Sequence, residues 1–303
     1  MIWTEYLNNY KNYLKLEKSL SENTVGAYIK DVVKFIDYLE DNNFSGSPKD
    51  ITQETIRDFI DFINEKGMSA SSQARALSGI KSFFKYLIID GIIDKNPSIH
   101  IETPKIGRKL PVVLELDEIE NLINAVDLST ETGYRNRAIL EVLYGCGLRV
   151  SELINLKLSN IYFDEEFIKV EGKGNKERLI PLGSKAKEAI IQYIENSRDV
   201  LKLNKKINNK DTDILFLNRR GKKITRVMIF TIIKDLAAKI DLKKNISPHT
   251  FRHSFATHLM QGGADLRAIQ DMLGHESITT TEIYTHLDKE YLKDTILRFH
   301  PRS

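Results

Sequence analysis

Cysteine is nearly absent from this chain: Cys146 stands alone among 303 residues. That excludes an intrachain disulfide and any zinc site built on a cysteine cluster. Cys146 falls in an apolar stretch, ILEVLYGCG, and reads as a buried, inert thiol. Long apolar runs are also missing, so no segment is expected to span a bilayer. The N-terminus, MIWTEYLNNYKNYLKLEKS, mixes charges and lacks the apolar stretch of a signal peptide, so a reducing cytoplasm is the expected compartment. A large net charge is lacking too, the formal value being +3. Its placement is uneven: residues 1–106 carry 13 Lys and Arg against 15 Asp and Glu, and the remainder 32 against 27. A global positive field is thereby excluded, and any contact with nucleic acid must come from local basic patches.

What is present divides into two domains, the usual expectation at this length. The segment SENTVGAYIKDVVKFIDYLED sets Val25, Tyr28, Ile29, Val32, Val33, Ile36 and Leu39 at helical spacing behind a capping Ser21. ITQETIRDFIDFINEKG repeats the pattern, with Thr52 as cap and Gly67 as stop. A third helix places Ala74, Leu77, Ile80, Phe84, Leu87 and Ile88 on one face, and the first eighteen residues form another helix. Residues 1–96 are thus a small helical bundle. Pro97, Pro104 and Pro111, three of seven prolines, mark residues 97–111 as an extended linker. The second domain, 112–303, is mainly helical. FIKVEG-KGN-KERLIPL interrupts it as a β-hairpin, ILFLN at 214–218 is a further candidate strand, and helices resume at Thr225. The fold class is therefore mainly α with a small β component.

Residues able to act on a phosphodiester gather late in the chain. The stretch SPHTFRHSFATHLMQGGADLRAIQDMLGHESITTTEIYTH holds His249, Arg252, His275 and Tyr284. Arg149 lies upstream in GCGLRVSEL, and Lys173 in the turn of EGKGNKERLIPL. Two guanidinium forks suit phosphate oxygens, a phenol suits a nucleophile, and imidazole moves protons near neutral pH. The pair His249 and His253 has zinc-helix spacing, but Thr250 stands where the HExxH signature needs glutamate, so no metal is expected. His253 and His258 read as helix-packing histidines. Neither GCG at 145–147 nor GKG at 172–174 completes a phosphate-binding loop, and the first reads as a helix end and turn. Taken singly, an arginine after an apolar helix is usually a surface charge and a tyrosine in TEIYTH is usually packing. The linked set is what carries meaning.

GLRVSEL, GKGNKERLIPL, SPHTFRHSFATHL, LGHESITTTEIYTH and a terminal HPR, in that order, resemble the tyrosine recombinase (λ-integrase-type) family, in its Xer branch. The resemblance spans the whole chain. It implies an N-terminal SAM-like core-binding domain and a mixed α/β catalytic domain that close as a clamp on DNA. It implies Tyr284 as the nucleophile that forms a 3′-phosphotyrosine, and Arg149 and Arg252 as the phosphate-binding arginines. His249 and His275 are the family histidines, which of them is the base being open. Lys173 is the general acid, with Lys176 its competitor, and Glu152 orients active-site groups. No metal or cofactor is implied. The C-terminal element KEYLKDTILRFHPRS would dock on a neighbouring protomer through Tyr291, Leu292, Ile296, Leu297 and Phe299. Arg75, Lys81 and Lys85 in the third helix and Lys105, Arg108 and Lys109 in the linker are candidate DNA contacts.

The activity so implied is site-specific recombination that resolves chromosome dimers at cell division. It would run in a tetramer on duplex DNA with a XerC-like recombinase partner, under an FtsK-type translocase. Three other readings compete. A mobile-element integrase is disfavoured by the lack of an arm-binding extension, a non-catalytic DNA-binding regulator by the complete residue set, and a type IB topoisomerase by the motif order.

Overall fold

Hydroxyl caps open the helices of the first hundred residues. In the computed structural model, which describes residues 2–104, 107, 111–172, 176–200, 209–274 and 286–303, contacts divide the chain into units 1–109 and 110–303. The first unit holds α1 (Ile2–Asn12), a π turn at Tyr13–Glu17, α2 (Glu22–Asp41), α3 (Gln53–Glu65) and α4 (Ala70–Ile89). The Ser21, Thr52 and Ser69 hydroxyls accept from the amides of Thr24, Thr55 and Ser72 at 3.3, 3.2 and 3.4 Å, each satisfying an amide that the helix leaves orphaned. Gly67, at φ 77°, follows α3 in the left-handed conformation. Val32, Phe35, Ile56, Phe59, Leu77, Ile80 and Phe84 form the buried centre, with the Phe35 and Phe59 rings edge-on at 5.2 Å. Ile88 departs from expectation and is exposed, and Phe83 is buried instead. At about 100° per residue Ile88 and Phe83 lie on opposite sides of the stripe that Ile80, Phe84 and Leu87 define, about equally far from its centre, so the packing of the bundle and not the period selects Phe83.

Among the described residues, one charge lies inside this bundle. Asp31 on α2 is fully buried and accepts from Arg75 Nε and Nη2 of α4, both at 3.1 Å. The helices approach closely there: a Cβ on Gly79 would lie 3.1 Å from Asp31 Cβ.

The second unit is built around α6 (Gly133–Gly145), whose Ala138, Ile139, Leu140, Val142, Leu143 and Tyr144 are all fully buried. A helix apolar nearly all round must be wrapped by others. Packed on it are α5 (Leu116–Asn124), α7 (Val150–Asn155), α8 (Ser184–Tyr193) and α10 (Pro248–Gly262), and α9 (Arg226–Lys239), α11 (Leu266–Leu273) and α12 (His286–Phe299) pack in turn on α10. A three-stranded antiparallel sheet runs in the order β1 (Ile161–Tyr162), β2 (Phe167–Glu171), β3 (Glu177–Pro181), with Ile168 opposite Ile180. The hairpin expected at 167–181 is thus present, and Thr225 caps α9 by accepting from the Met228 amide at 3.2 Å. Cys146, after α6, is fully buried, and burial pushes its thiol up to about 12.

The segment 214–218 does not form the expected strand. It makes isolated bridges, Lys157 with Ile214 and Leu217 with Lys223. Scattered backbone bonds, such as the Leu215 amide to the Leu156 carbonyl and the Ile224 amide to the Phe216 carbonyl, share its bonding with side chains in place of a continuous ladder. Arg198 donates to the carbonyls of Ile214 and Leu215, and the Leu217 amide donates to Tyr193 Oη.

The C-terminal helix α12 carries Leu292 and Ile296 at 3 and 1% exposed against the chain's own core, while Tyr291 and Leu297 stay open at 49 and 56%. Helices α10 and α11 and strand β3 supply an apolar seat in cis, and Lys293 pairs with Glu166 at 2.5 Å beside it. Beyond the helix, the His300 ring lies 4.8 Å from that of Tyr144 and 5.4 Å from that of Phe255. Arg302 clasps the buried Glu141 at 2.6 Å and reaches Glu120 at 3.2 Å.

Candidate active site

The turn between α6 and α7 sets the first arginine. Gly147 adopts φ 56°, and a Cβ there would lie 2.5 Å from the Phe255 ring, so only glycine fits. Two residues on, Arg149 is the N-cap of α7, and its own amide donates to Glu152 Oε2 at 2.8 Å. Its guanidinium donates through Nη1 to Glu152 Oε1 at 2.8 Å and through Nη2 to the Gly274 carbonyl at 3.2 Å.

The second arginine comes from α10. Ser247 caps that helix and Pro248 opens it. His249 in the first turn is exposed, and Arg252, three residues later, is buried. Arg252 Nη1 donates to the Gly147 carbonyl at 2.8 Å, and Nη2 donates to the Leu273 carbonyl. The same Nη1 lies 3.9 Å from Glu152 Oε2. Arg149 and Arg252, more than a hundred residues apart, therefore meet on one carboxylate. Burial first, and the neighbouring Arg149 second, bring the Arg252 guanidinium down to about 10, still protonated at neutral pH.

A third arginine, missed from sequence, completes the group. Arg178 on β3 donates to Glu152 Oε1 and Oε2 at 2.9 Å each and to the Met272 carbonyl at 2.8 Å. The available signal was strand alternation. Arg178 sits two residues before the core residue Ile180 and opposite the buried Val170, so its side chain points inward. Burial works to raise the Glu152 carboxyl, but donation from Arg178 and Arg149 outweighs it, and the net position is below the ordinary carboxylate value. Three guanidiniums against one carboxylate leave excess positive charge in a partly buried cleft. Arg149, with its side chain 33% exposed, is the most open of them. Such a site favours an incoming anion that accepts from planar forks.

The structure thus brings Arg149, Glu152 and Arg252 together, and places His249 on the helix that carries Arg252. Lys173, His275 and Tyr284 lie outside the described residues, as do Lys105, Arg108 and Lys109. Lys176 is exposed at the hairpin end, where its carbonyl accepts from the Gly172 amide at 2.8 Å. His258 is a buried packing histidine, its Nδ1 2.7 Å from Tyr144 Oη, and burial lowers its basicity. In the first unit Arg75 is engaged by Asp31, Lys81 Nζ donates to the Ile101 carbonyl at 2.7 Å, and Lys85 is exposed.

The cluster suits an anion such as a phosphate, and comparison with known proteins gives the class: the chain belongs to the phage integrase family, which matches residues 112–291, with the family's N-terminal SAM-like domain matching 7–91. Among named relatives it is 43% identical to the Tyrosine recombinase XerD of Staphylococcus epidermidis strain RP62A over 297 residues, 98% of this chain and 99% of the relative. It is likewise 43% identical to the Tyrosine recombinase XerD of Listeria innocua over 299 residues, 99% of each chain. Among solved structures, the XerH site-specific recombinase bound to difH substrate superposes with a TM-score of 0.70 at 21% identity, covering 90% of this chain and 89% of that one. A λ integrase (75–356) dimer bound to a COC′ core site gives 0.70 at 20%, covering 93 and 100%. At those identities the two structures speak for the fold. No helix among the described residues is long and apolar enough to cross a membrane.

Proposed function

We propose that this chain is a site-specific recombinase that cuts and rejoins duplex DNA through a 3′-phosphotyrosine and resolves chromosome dimers at cell division. The observation that carries the reading is the meeting of Arg149 and Arg252 on Glu152, with the site left in excess positive charge. Near full-length identity to proteins named Tyrosine recombinase XerD supports it.

Tyr284 Oη attacks the scissile phosphorus, giving up its proton to a base supplied by His249 or His275. The bond to the 5′-oxygen breaks, and Lys173 protonates that leaving oxygen. Arg149 and Arg252 hold the two non-bridging oxygens as negative charge builds on them, a task for forks that never lose their proton. The phosphotyrosine retains the energy of the phosphodiester, so a 5′-hydroxyl reverses the step without a nucleotide cofactor. Residues 1–96 and 112–303, joined by the linker 97–111, each engage the duplex, with Lys81, Lys85, Lys105, Arg108 and Lys109 as phosphate contacts. The working assembly is a cytoplasmic tetramer with a XerC-like partner under an FtsK-type translocase, and the open residues Tyr291 and Leu297 of α12 belong to the contact between protomers.

A denaturing gel of the protein on a nicked suicide duplex carrying the host's recombination site tests this. Wild type yields a covalent adduct and Tyr284→Phe yields none, while both bind in a native gel. An adduct that survives Tyr284→Phe, or none with wild type even beside a XerC-like partner, overturns the reading.

A further inference from the structure

Arg178 spends its whole guanidinium inside the protein. Nη1 and Nη2 each take one oxygen of Glu152 at 2.9 Å, and Nε takes the Met272 carbonyl at 2.8 Å. The residue is 6% exposed, and each of its three guanidinium nitrogens already donates to a partner inside the protein. Its placement ties three elements: β3, which it belongs to, α7 through Glu152, and the end of α11 through Met272. The turn after α11 rests on it as well. Gly274, at φ 63°, fits closely against it: a Cβ there would be strained by the backbone and would lie 3.1 Å from Arg178 Cδ and 3.2 Å from Nε, and the Gly274 carbonyl accepts from Arg149.

A glutamate carboxylate rotates easily about its last bond. Glu152 meets Arg149 through Oε1 and the Arg149 amide through Oε2, with Arg252 3.9 Å from Oε2. Held from behind by a bidentate fork, the carboxylate keeps that plane. Released, it would turn toward the two remaining cations and pair with them more fully. Each guanidinium so neutralised offers less to a phosphate.

We infer that Arg178 is a positioning residue of the recombination site: by locking the Glu152 carboxylate and the α11 end, it keeps Arg149 and Arg252 aimed and charged for the scissile phosphate. This rests on the reading of the chain as a recombinase. Removing Arg178 therefore costs rate where the phosphate carries charge, and little where it does not.

The test is single-turnover cleavage at saturating protein, on suicide duplexes with either the natural scissile phosphate or a methylphosphonate, in which a neutral methyl replaces one charged non-bridging oxygen. Arg178→Lys keeps one positive charge but loses the fork. It slows cleavage of the phosphate about 10- to 100-fold, the usual scale for a group that orients direct contacts. On the methylphosphonate its rate falls within a few-fold of wild type. Melting and native gels check folding and binding, and if Arg178→Lys does not melt cooperatively, Arg178→Gln is read in the same way. An unchanged phosphate rate overturns the inference, and so does an equal loss on both substrates, the mark of a merely structural role. Those results leave the recombinase reading intact as long as wild type forms its Tyr284-dependent adduct. Absence of that adduct removes the reading and the inference together.

Discussion

Glu152 receives Arg178 through both carboxylate oxygens at 2.9 Å, and those same oxygens serve Arg149 and face Arg252. It is 4% exposed and, among the described residues, the lone carboxylate that these three guanidiniums touch or approach. Glu152→Ala strands those charges in a site with little water. A loss of about 3–5 kcal/mol in urea unfolding is expected, the scale for breaking a buried pair from one side. Glu152→Gln keeps the shape and one acceptor oxygen, and should cost less. Equal stability of wild type and Glu152→Ala would mean that the cluster is solvated and does not anchor the domain.

Arg252 divides its fork between two carbonyls, Gly147 and Leu273, from different segments. A lysine cannot span both and still offer a planar donor pair. Arg252→Lys should cut single-turnover cleavage about 10²- to 10³-fold, the range seen on removing one transition-state donor. Binding to the same duplex should weaken less than tenfold, because most affinity comes from phosphates elsewhere. A loss of binding that matches the loss of rate would assign Arg252 to holding DNA, not to the transition state.

His300 carries a pH dependence. Burial, and then the neighbouring His258, bring its ring down to about 3, from 6.5 in the unfolded chain. Tyr144 and Phe255 flank the ring, the Arg302 amide donates to its Nδ1 at 3.2 Å, and Nε2 makes no well-formed hydrogen bond with any group among the described residues. The folded state refuses a proton that the unfolded state takes up. The stability involved is therefore complete above about pH 6.5 and is lost as pH falls from there toward 3. One such group costs about 1.4 kcal/mol per pH unit within that window. Unfolding measured from pH 7 to 5 should show a drop in which the His300 share, about 2 kcal/mol, is removed by His300→Phe, leaving the part due to His258. An identical pH slope in the variant would place the titration on another group.

Arg75 and Lys85 share α4 but should separate cleanly. Arg75→Ala leaves Asp31 buried without its fork, and the first unit should lose about 3 kcal/mol, at the low end for a buried pair because Arg75 itself is half exposed. Lys85→Ala should change stability by less than about 0.5 kcal/mol. It should lower the slope of log affinity against log salt by about 1 if it meets a phosphate. A stable Arg75→Ala with a reduced salt slope would reverse the two assignments.

Much of this protein was legible in its sequence because the signals were local. A hydroxyl at Ser21, Thr52 or Thr225 ahead of an apolar period needs only the next turn of chain to act as a cap. The hairpin at 167–181, the buried Cys146 and the positive-φ Gly147 are likewise decided within a few residues. Arg149, Glu152, His249 and Arg252 were named from motif order, though no spacing rule brings Arg149 to Arg252.

Tertiary structure alone decided the rest, since the deciding partners lie far along the chain. Arg178 reads as a surface charge until a carboxylate 26 residues away and a carbonyl 94 residues away consume its donors. The segment 214–218 has strand composition, yet Arg198 and Tyr193 meet its backbone before any ladder does. The apolar face of α12 was visible in sequence, but periodicity states only that such a face must be covered. Which surface covers Leu292 and Ile296 depends on the shape of the seat that α10, α11 and β3 assemble in the same chain.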